Sequence, residues 1–208
     1  VSLVHNNPNN TPNYAKFPIR KSIIDRTADI ALSEFAPAQE LIKDKEKLSC
    51  VGLAWYKREG DGIKAKPVPR SSIKPFLICR ECESLLNQDS EKCEHCGSTE
   101  LFQSTGWMPE YYVTDFKKRS YDGHINSVPQ YIIQKPTPDH QNMENYWEAC
   151  KIASNTGHIT RINTNNMTGF NFKAVTEDCP AKGLYKVVPE DEADDNVVLF
   201  SRQYTDFF

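Results

Sequence analysis

Apolar residues recur at helical spacing near the start of the chain. From Pro18 onward the positions that share this spacing, at intervals of three and four residues, are Ile24, Ala28, Ala31 and Phe35. Such intervals place side chains on one face of an α-helix. A proline suits the first helical turn, and Pro37 follows directly after the pattern ends. We therefore predict a helix over residues 18–35.

Beyond this segment the hydrophobic pattern is mostly that of strands. Glu40–Lys43, a charged turn and Leu48–Tyr56 predict a hairpin. The later strand-like segments are 101–102, 111–116, 128–133, 158–163, 170–175, 184–188 and 197–204. Residues 146–153 are the other segment for which we predict a short helix. The pattern predicts an α+β fold, mostly antiparallel β with one or two helices and an inserted four-cysteine zinc ribbon.

The sequence predicts a short N-terminal arm followed by one large module. Residues 1–17 are rich in asparagine and predict a loop or linker arm, whereas 18–208 predict a single α+β module with the ribbon inserted at about 75–102. Residues 57–74 predict a basic, flexible connection, and the acidic run at 190–195 predicts a solvated loop. Because the chain starts without methionine, we expect it to be a piece of a longer polypeptide.

Composition limits the class of protein. Of the 208 residues, 38% are hydrophobic and 25% charged, as in globular proteins. No run of apolar residues is long enough to predict a membrane span. The formal net charge of −3 gives no overall signature of nucleic-acid binding. Four of the seven cysteines lie in Cys-x-x-Cys pairs, which is metal spacing and favours a reducing cytoplasm.

The cysteine pairs carry the clearest chemistry in the sequence. Cys79 and Cys82, then Cys93 and Cys96, are separated by a ten-residue spacer, and Gly97 follows the last one. Four thiolates complete the tetrahedral shell of Zn²⁺ and leave no position for a catalytic water. We therefore predict a structural zinc ribbon. Replacement of one cysteine by His95, a redox dithiol and an iron–sulfur cluster are the weaker alternatives.

The ribbon could have either of two roles. It could bind nucleic acid, or it could act as a structural staple that stabilises a long insertion. Between Cys79 and Glu100 there are two basic side chains against six acidic ones. Binding to phosphates needs positive charge, so this balance favours the staple, including a role facing another protein. Cys50, Cys150 and Cys179 are interpreted as buried thiols rather than nucleophiles.

No catalytic residue is predicted. The chain lacks the phosphate-binding glycine motifs, the G-x-S-x-G nucleophile motif and the H-E-x-x-H zinc motif. Its five histidines are scattered without a partner at triad spacing. We therefore expect a non-enzymatic module.

Nucleic-acid contacts are predicted from local charge alone. The basic segment at 57–74 and a second one at 115–119 supply the candidates, which are Lys57, Arg58, Lys64, Lys66, Arg70, Lys74, Lys117, Lys118 and Arg119. Clustered lysine and arginine side chains are the residues that neutralise DNA phosphates. A solvated loop is the alternative interpretation of 115–119.

Several segments resemble one known family. Residues 31–42 (ALSEFAPAQELI) with 48–53 (LSCVGL), the four cysteines with Gly97, residues 157–163 (GHITRIN) with 169–172 (GFNF), and 199–206 (LFSRQYTD) occur in the order found in zinc-binding, helicase-associated proteins. These include the mitomycin-repair helicase group and the DrmB proteins of DISARM anti-phage systems. Ala38 departs from the family's usual glycine.

The resemblance implies a helicase subunit or an adjoining helicase domain as partner, and a role with DNA in defence or repair. The resemblance assigns a catalytic role to no residue of this chain. The leading hypothesis is a zinc-stapled, non-catalytic module that helps a DNA motor engage DNA. The alternative is a protein-interaction scaffold whose acidic ribbon and acidic run at 190–195 face a helicase partner without touching DNA.

Overall fold

A computed structural model describes residues 1–5, 22–59, 62–114, 119–128, 130–138, 143–147, 150–175 and 184–207. Within these ranges the protein is mostly β, with one α-helix, α1 at Ala28–Glu34. The predicted α+β class is therefore wrong, because most of the segments with ambiguous patterns form strands. None of the described helices has the length and apolar character needed to cross a membrane.

The described ranges contain seventeen strands. In chain order they are β1 Ser2–His5, β2 Ser22–Asp25, β3 Glu40–Lys43, β4 Glu46–Ala54, β5 Tyr56–Glu59, β6 Gly62–Ala65, β7 Ile73–Cys79, β8 Leu85–Leu86, β9 Leu101–Trp107, β10 Tyr111–Thr114, β11 Arg119–Ser120, β12 Ile132–Pro138, β13 Met143–Trp147, β14 Cys150–Asn163, β15 Phe170–Ala174, β16 Leu184–Val187 and β17 Asp195–Phe207.

A 15-stranded sheet holds nearly all of these strands, and β5 with β6 forms a separate hairpin. Its main path runs β2-β1-β10-β4-β16-β15-β17-β9-β7-β8. Two pairings, β1 with β10 and β17 with β9, are parallel. The other described pairings are antiparallel, so the prediction of mostly antiparallel strands holds in part, within a mixed sheet.

The helix in the structure, α1, is shorter than the one predicted over residues 18–35. Residues 22–25 form β2, which pairs with β1, and the helix begins only after Thr27. Ile23 and Ile24 are β-branched and fit a pleated strand, which overrides their helical spacing. Residues 18–21 lie outside the described part of the chain.

Other segments also differ from their predictions. The short helix predicted over 146–153 is wrong, since Tyr146 and Lys151 face each other in the antiparallel pair of β13 and β14. The connection at 57–74 contains the β5–β6 hairpin and a 3₁₀ turn at Arg70–Ser72 instead of being a flexible linker. In the predicted arm at 1–17, residues 2–5 form β1 and the remainder is not described.

The hairpin predicted at 40–56 is confirmed. β3 and β4 pair with Lys43 opposite Glu46, which leaves a two-residue turn of Asp44 and Lys45. Both turn residues have positive φ, at 52° and 65°. This turn twists in the same sense as the strands it joins, and therefore suits a tight hairpin.

β17 separates two hydrophobic clusters. Val197 and Leu199 pack on one side with the residues of α1, including Leu32 and Phe35. Val198 and Phe200 point to the other side and pack with residues of β7, β9, β12 and β14. Because both faces of this strand are buried, its run of apolar residues is continuous rather than alternating.

Candidate metal centre

The four sulfur atoms of Cys79, Cys82, Cys93 and Cys96 converge on one point, all lying within 4.8 Å of one another. The Cys79 and Cys96 sulfurs are 3.5 Å apart, and those of Cys82 and Cys93 are 3.4 Å apart. A tetrahedral ion with metal–sulfur bonds near 2.3 Å needs sulfur separations of about 3.8 Å. The cluster can therefore hold one metal ion with a small outward adjustment.

The backbone repeats the same turn on both sides of the cluster. In the first turn the N–H of Glu83 donates to the carbonyl oxygen of Cys79 at 3.0 Å, and in the second the N–H of Gly97 donates to that of Cys93 at 2.9 Å. The amides of Cys79 and Cys93 in turn donate to the carbonyl oxygens of residues 84 and 98. Each Cys-x-x-Cys pair is thus wrapped by an equivalent knuckle.

This equivalence extends to the sequence, as Cys-x-x-Cys-x-Ser occurs twice. The two serines are Ser84 and Ser98, and the residue before each has positive φ, at 59° for Glu83 and 76° for Gly97. Glycine adopts this conformation with little strain, whereas glutamate does not. The serines were missed by the sequence analysis, and comparing the two knuckles with each other would have found them.

Ser84 favours the thiolate form of its neighbour. Its hydroxyl lies 3.3 Å from the Cys82 sulfur. Hydrogen bonds from this hydroxyl and from the Ser84 backbone, together with the Cys93 side chain, lower the pKa of Cys82 to about 6. Burial and hydrogen bonds with the other three cysteine side chains raise the pKa of Cys96 to about 12, so in the absence of metal the negative charge of the cluster is favoured on Cys82. Binding of a metal ion would favour the thiolate form at all four positions.

The ribbon is part of the main sheet. β7 leads into the first knuckle and β9 leaves the second, and these strands pair along their length from Ile73 opposite Trp107 to Cys79 opposite Leu101. β9 also pairs with β17. A small apolar cluster at its base contains Leu77, Leu86 and the buried Cys79 and Cys93. The ribbon therefore continues the central sheet through β7 and β9.

The remaining thiols and the weaker ligand candidate lie elsewhere. His95 is exposed and lines an open groove with Cys82, outside the set of four sulfurs. Cys50 is buried, as predicted, and burial raises the pKa of its thiol to about 12. The side chain of Cys150 and the whole of Cys179 lie outside the described residues.

The predicted phosphate contacts are distributed over several elements. Lys57 and Lys64 occupy directly opposed positions of the β5–β6 hairpin, which also carries Arg58. Lys66 forms an ion pair with Glu110 at 3.3 Å. Arg70 is exposed, on the 3₁₀ turn that precedes β7, and Lys74 is half-buried on β7 itself. The structure thus pairs the backbone positions of Lys57 and Lys64 and gives Lys66 an acidic partner.

The second basic segment is less available for phosphates. Arg119 lies 3.1 Å from a carboxylate oxygen of Glu40 and also donates to the Ser49 hydroxyl. Glu40 in turn accepts a hydrogen bond from the backbone of Asn126. Arg119 therefore joins β11 to the β3–β4 hairpin, and Glu40 joins this hairpin to the segment that follows β11. Lys117 and Lys118 lie outside the described residues.

Comparison with known proteins identifies no relative. No family model, no curated protein and no solved structure matches the chain. The resemblance to helicase-associated proteins therefore stays a prediction from the sequence motifs.

Proposed function

We propose that this chain is a non-catalytic, zinc-stapled module of a helicase-associated protein, which helps a DNA motor engage DNA in anti-phage defence or DNA repair. We place it in the reducing cytoplasm, where four thiolates stay available for the metal. Its partner in this proposal is a helicase subunit or an adjoining helicase domain.

The proposal depends mainly on one observation. The four sulfurs converge at the point where β7 ends and β9 begins. Four thiolates fill the coordination shell of Zn²⁺, and a filled shell suits a structural role because catalytic zinc needs an open position. The metal would fix one end of the β7–β9 strand pair, the end where Cys79 lies opposite Leu101, and this pair extends into the main sheet. This supports a staple in preference to a catalytic centre.

Contact with DNA is supported by the basic residues that precede the ribbon. The hairpin β5–β6 carries Lys57 opposite Lys64, and Arg70 is exposed just before β7. Basic residues clustered in one segment can bind phosphates without sequence preference.

The test is a DNA mobility shift with the zinc-loaded chain, using single-stranded and duplex probes at low salt. We expect binding that weakens as salt is raised, since phosphate contacts release counterions. A chain that binds neither probe contradicts the DNA role. Size-exclusion chromatography with a purified helicase of the mitomycin-repair type then tests the partner separately.

The protein-interaction scaffold remains a second candidate because of one contact. The carboxylate of Glu83 accepts a hydrogen bond from the phenol of Tyr131, whose side chain is half exposed. An exposed tyrosine suits a protein partner because aromatic side chains are enriched at protein interfaces. Complex formation with the helicase in the absence of DNA binding would favour this alternative.

A further inference from the structure

Three side chains form a row across adjacent strands on one face of the sheet. Lys135 of β12 lies opposite Thr160 of β14, and Thr160 lies opposite Arg202 of β17. Directly opposed residues of paired strands point to the same side. Two positions back along each strand, the same face is buried and apolar, with Ile133 and Phe200 in one hydrophobic cluster. In this row Lys135 and Arg202 are exposed, whereas Thr160 between them is buried.

A third cation, Lys74 of β7, lies near this row and lines one groove with Lys135 and Thr160. Burial lowers the pKa of Lys74, and the positive charges of Arg202 and Lys135 lower it further. Within the described part of the chain, neither Lys74 nor Arg202 forms an ion pair with a carboxylate. Three like charges within electrostatic range repel one another and destabilise the fold unless an anion lies among them.

An open groove of about 290 Å³ lies at this cluster. One wall carries Lys74 and the side chain of Phe76, and the other is formed by residues 85–88, which directly follow the first knuckle. Lys135 and Thr160 line the same groove. No acidic side chain is among its lining residues, so the groove presents positive charge and a hydroxyl.

An aromatic side chain lies next to the cations. Tyr204 is two residues beyond Arg202 on β17, about 7 Å along the strand, and is 74% exposed. His158, its opposed residue on β14, packs edge-on against the ring with centroids 6.1 Å apart. The ring is thus supported from the side while it remains accessible to solvent.

We propose that this cationic groove binds the phosphate backbone of a single-stranded nucleic acid and that Tyr204 stacks on one of its bases. Positive grooves beside exposed aromatic rings are the combination that binds single strands, because unpaired bases can reach the ring. The proposal rests on the DNA contact of the proposed function and locates it. It differs from the sequence prediction in using Lys135 and Arg202.

The test uses the zinc-loaded full chain and a fluorescent oligodeoxythymidine of about 15 nucleotides, with binding followed by anisotropy at several salt concentrations. Tyr204→Ala should weaken binding roughly 5- to 150-fold, and Tyr204→Phe should retain it. Lys74→Ala and Arg202→Ala should each reduce the salt slope by about 0.7. Lys173→Ala, at an exposed lysine on β15, is the matched control and should change nothing.

Thermal stability separates loss of the site from loss of the fold. Arg202→Ala removes repulsion from the cluster, so its melting temperature should equal or exceed that of the parent chain. If the parent binds DNA but the groove variants bind equally well, this proposal is wrong, while the proposed function stands. Loss of binding in Lys57→Ala with Lys64→Ala would then assign the contact to the β5–β6 hairpin.

Two further outcomes would overturn the proposal. A parent chain that binds neither single strands nor duplex contradicts the proposed function and this site together. Competition by polyglutamate at the same charge concentration as the oligonucleotide would assign the groove to an acidic protein segment.

Discussion

The ammonium of Lys135 donates a hydrogen bond to the backbone carbonyl oxygen of Leu85 across 3.0 Å. Lys135 belongs to β12, and Leu85 begins the two-residue strand β8 that follows the first cysteine knuckle. The bond therefore joins the metal-binding ribbon to the strand that carries one of the groove's cations. A change in the knuckle is expected to be transmitted to the groove through this contact.

Removal of the metal should unfold the ribbon before the rest of the sheet. For structural zinc sites the free energy of metal binding, about 10–16 kcal/mol in small peptides, contributes directly to folding. After chelation we expect fast hydrogen exchange at the amides of Cys93 and Gly97, with protection kept in β14 and β17. Affinity for single-stranded DNA should fall in parallel.

Metal analysis provides the control for that experiment. The parent chain should bind one Zn²⁺, and Cys82→Ser should lower the affinity for it. Cys50→Ala should keep the full stoichiometry, since Cys50 is buried outside the set of four sulfurs. Equal metal content in Cys82→Ser and the parent would contradict the assignment.

Gly97→Ala should destabilise the second knuckle through backbone strain alone. Gly97 has φ of 76°, and a Cβ atom there would meet nothing within 4 Å. The left-handed conformation costs an alanine about 1–2 kcal/mol. Urea denaturation of the zinc-loaded chain should show a loss of this size, and Gly97→Asn should show a smaller one, because asparagine tolerates positive φ better. Equal losses in the two variants would contradict this cause.

Asn163→Ala should reduce stability by about 2–3 kcal/mol, because it leaves buried polar groups without partners. The fully buried Asn163 side chain donates at 2.7 Å to the carbonyl oxygen of Leu32, near the end of α1, and to Gln130. Its own oxygen accepts from the backbone of Asn165. Thermal unfolding should show a much smaller loss for Gln130→Ala, which removes one of these bonds.

Asp122 should contribute to stability only above strongly acidic pH. Hydrogen bonds from Lys47, 2.6 Å away, and from the His124 backbone lower the pKa of Asp122 from 3.8 to about 2. Since the folded-state pKa lies below the unfolded value, the contribution is complete above about pH 4 and is lost as the pH falls towards 2. An NMR titration in Lys47→Met should show the pKa returning towards 3.8, and an unchanged pKa would contradict this account.

The cluster of four cysteine sulfurs could be predicted from sequence because the residues that form it are close together in the chain. All four ligands lie between Cys79 and Cys96, and the spacing and the glycine after the last ligand suffice to indicate the site. The position of the ribbon within the main sheet could not be predicted, because the pairing of β9 with β17 joins segments far apart in the chain.

The cationic groove could not be predicted from sequence either, because it too depends on pairing between distant segments. Lys135 and Arg202 are isolated basic residues in the sequence, and only the pairing of β12, β14 and β17 brings them together. Likewise, the apolar spacing around Ile24 fits a helix, but pairing of β2 with β1 determines its conformation. Charge runs and periodicity describe neighbours along the chain, whereas pairing between strands depends on the whole fold.

The parallel pairing of β9 with β17 has a consequence during protein synthesis. The proposed metal site can form once Ser98, which completes the second knuckle, has left the ribosome, because its contacts are short-range. The neighbour of β9, β17, is translated much later, so one edge of β9 has no strand beside it for most of translation. We expect nascent chains that end before Asp195 to hold metal and to recruit chaperones at that open edge.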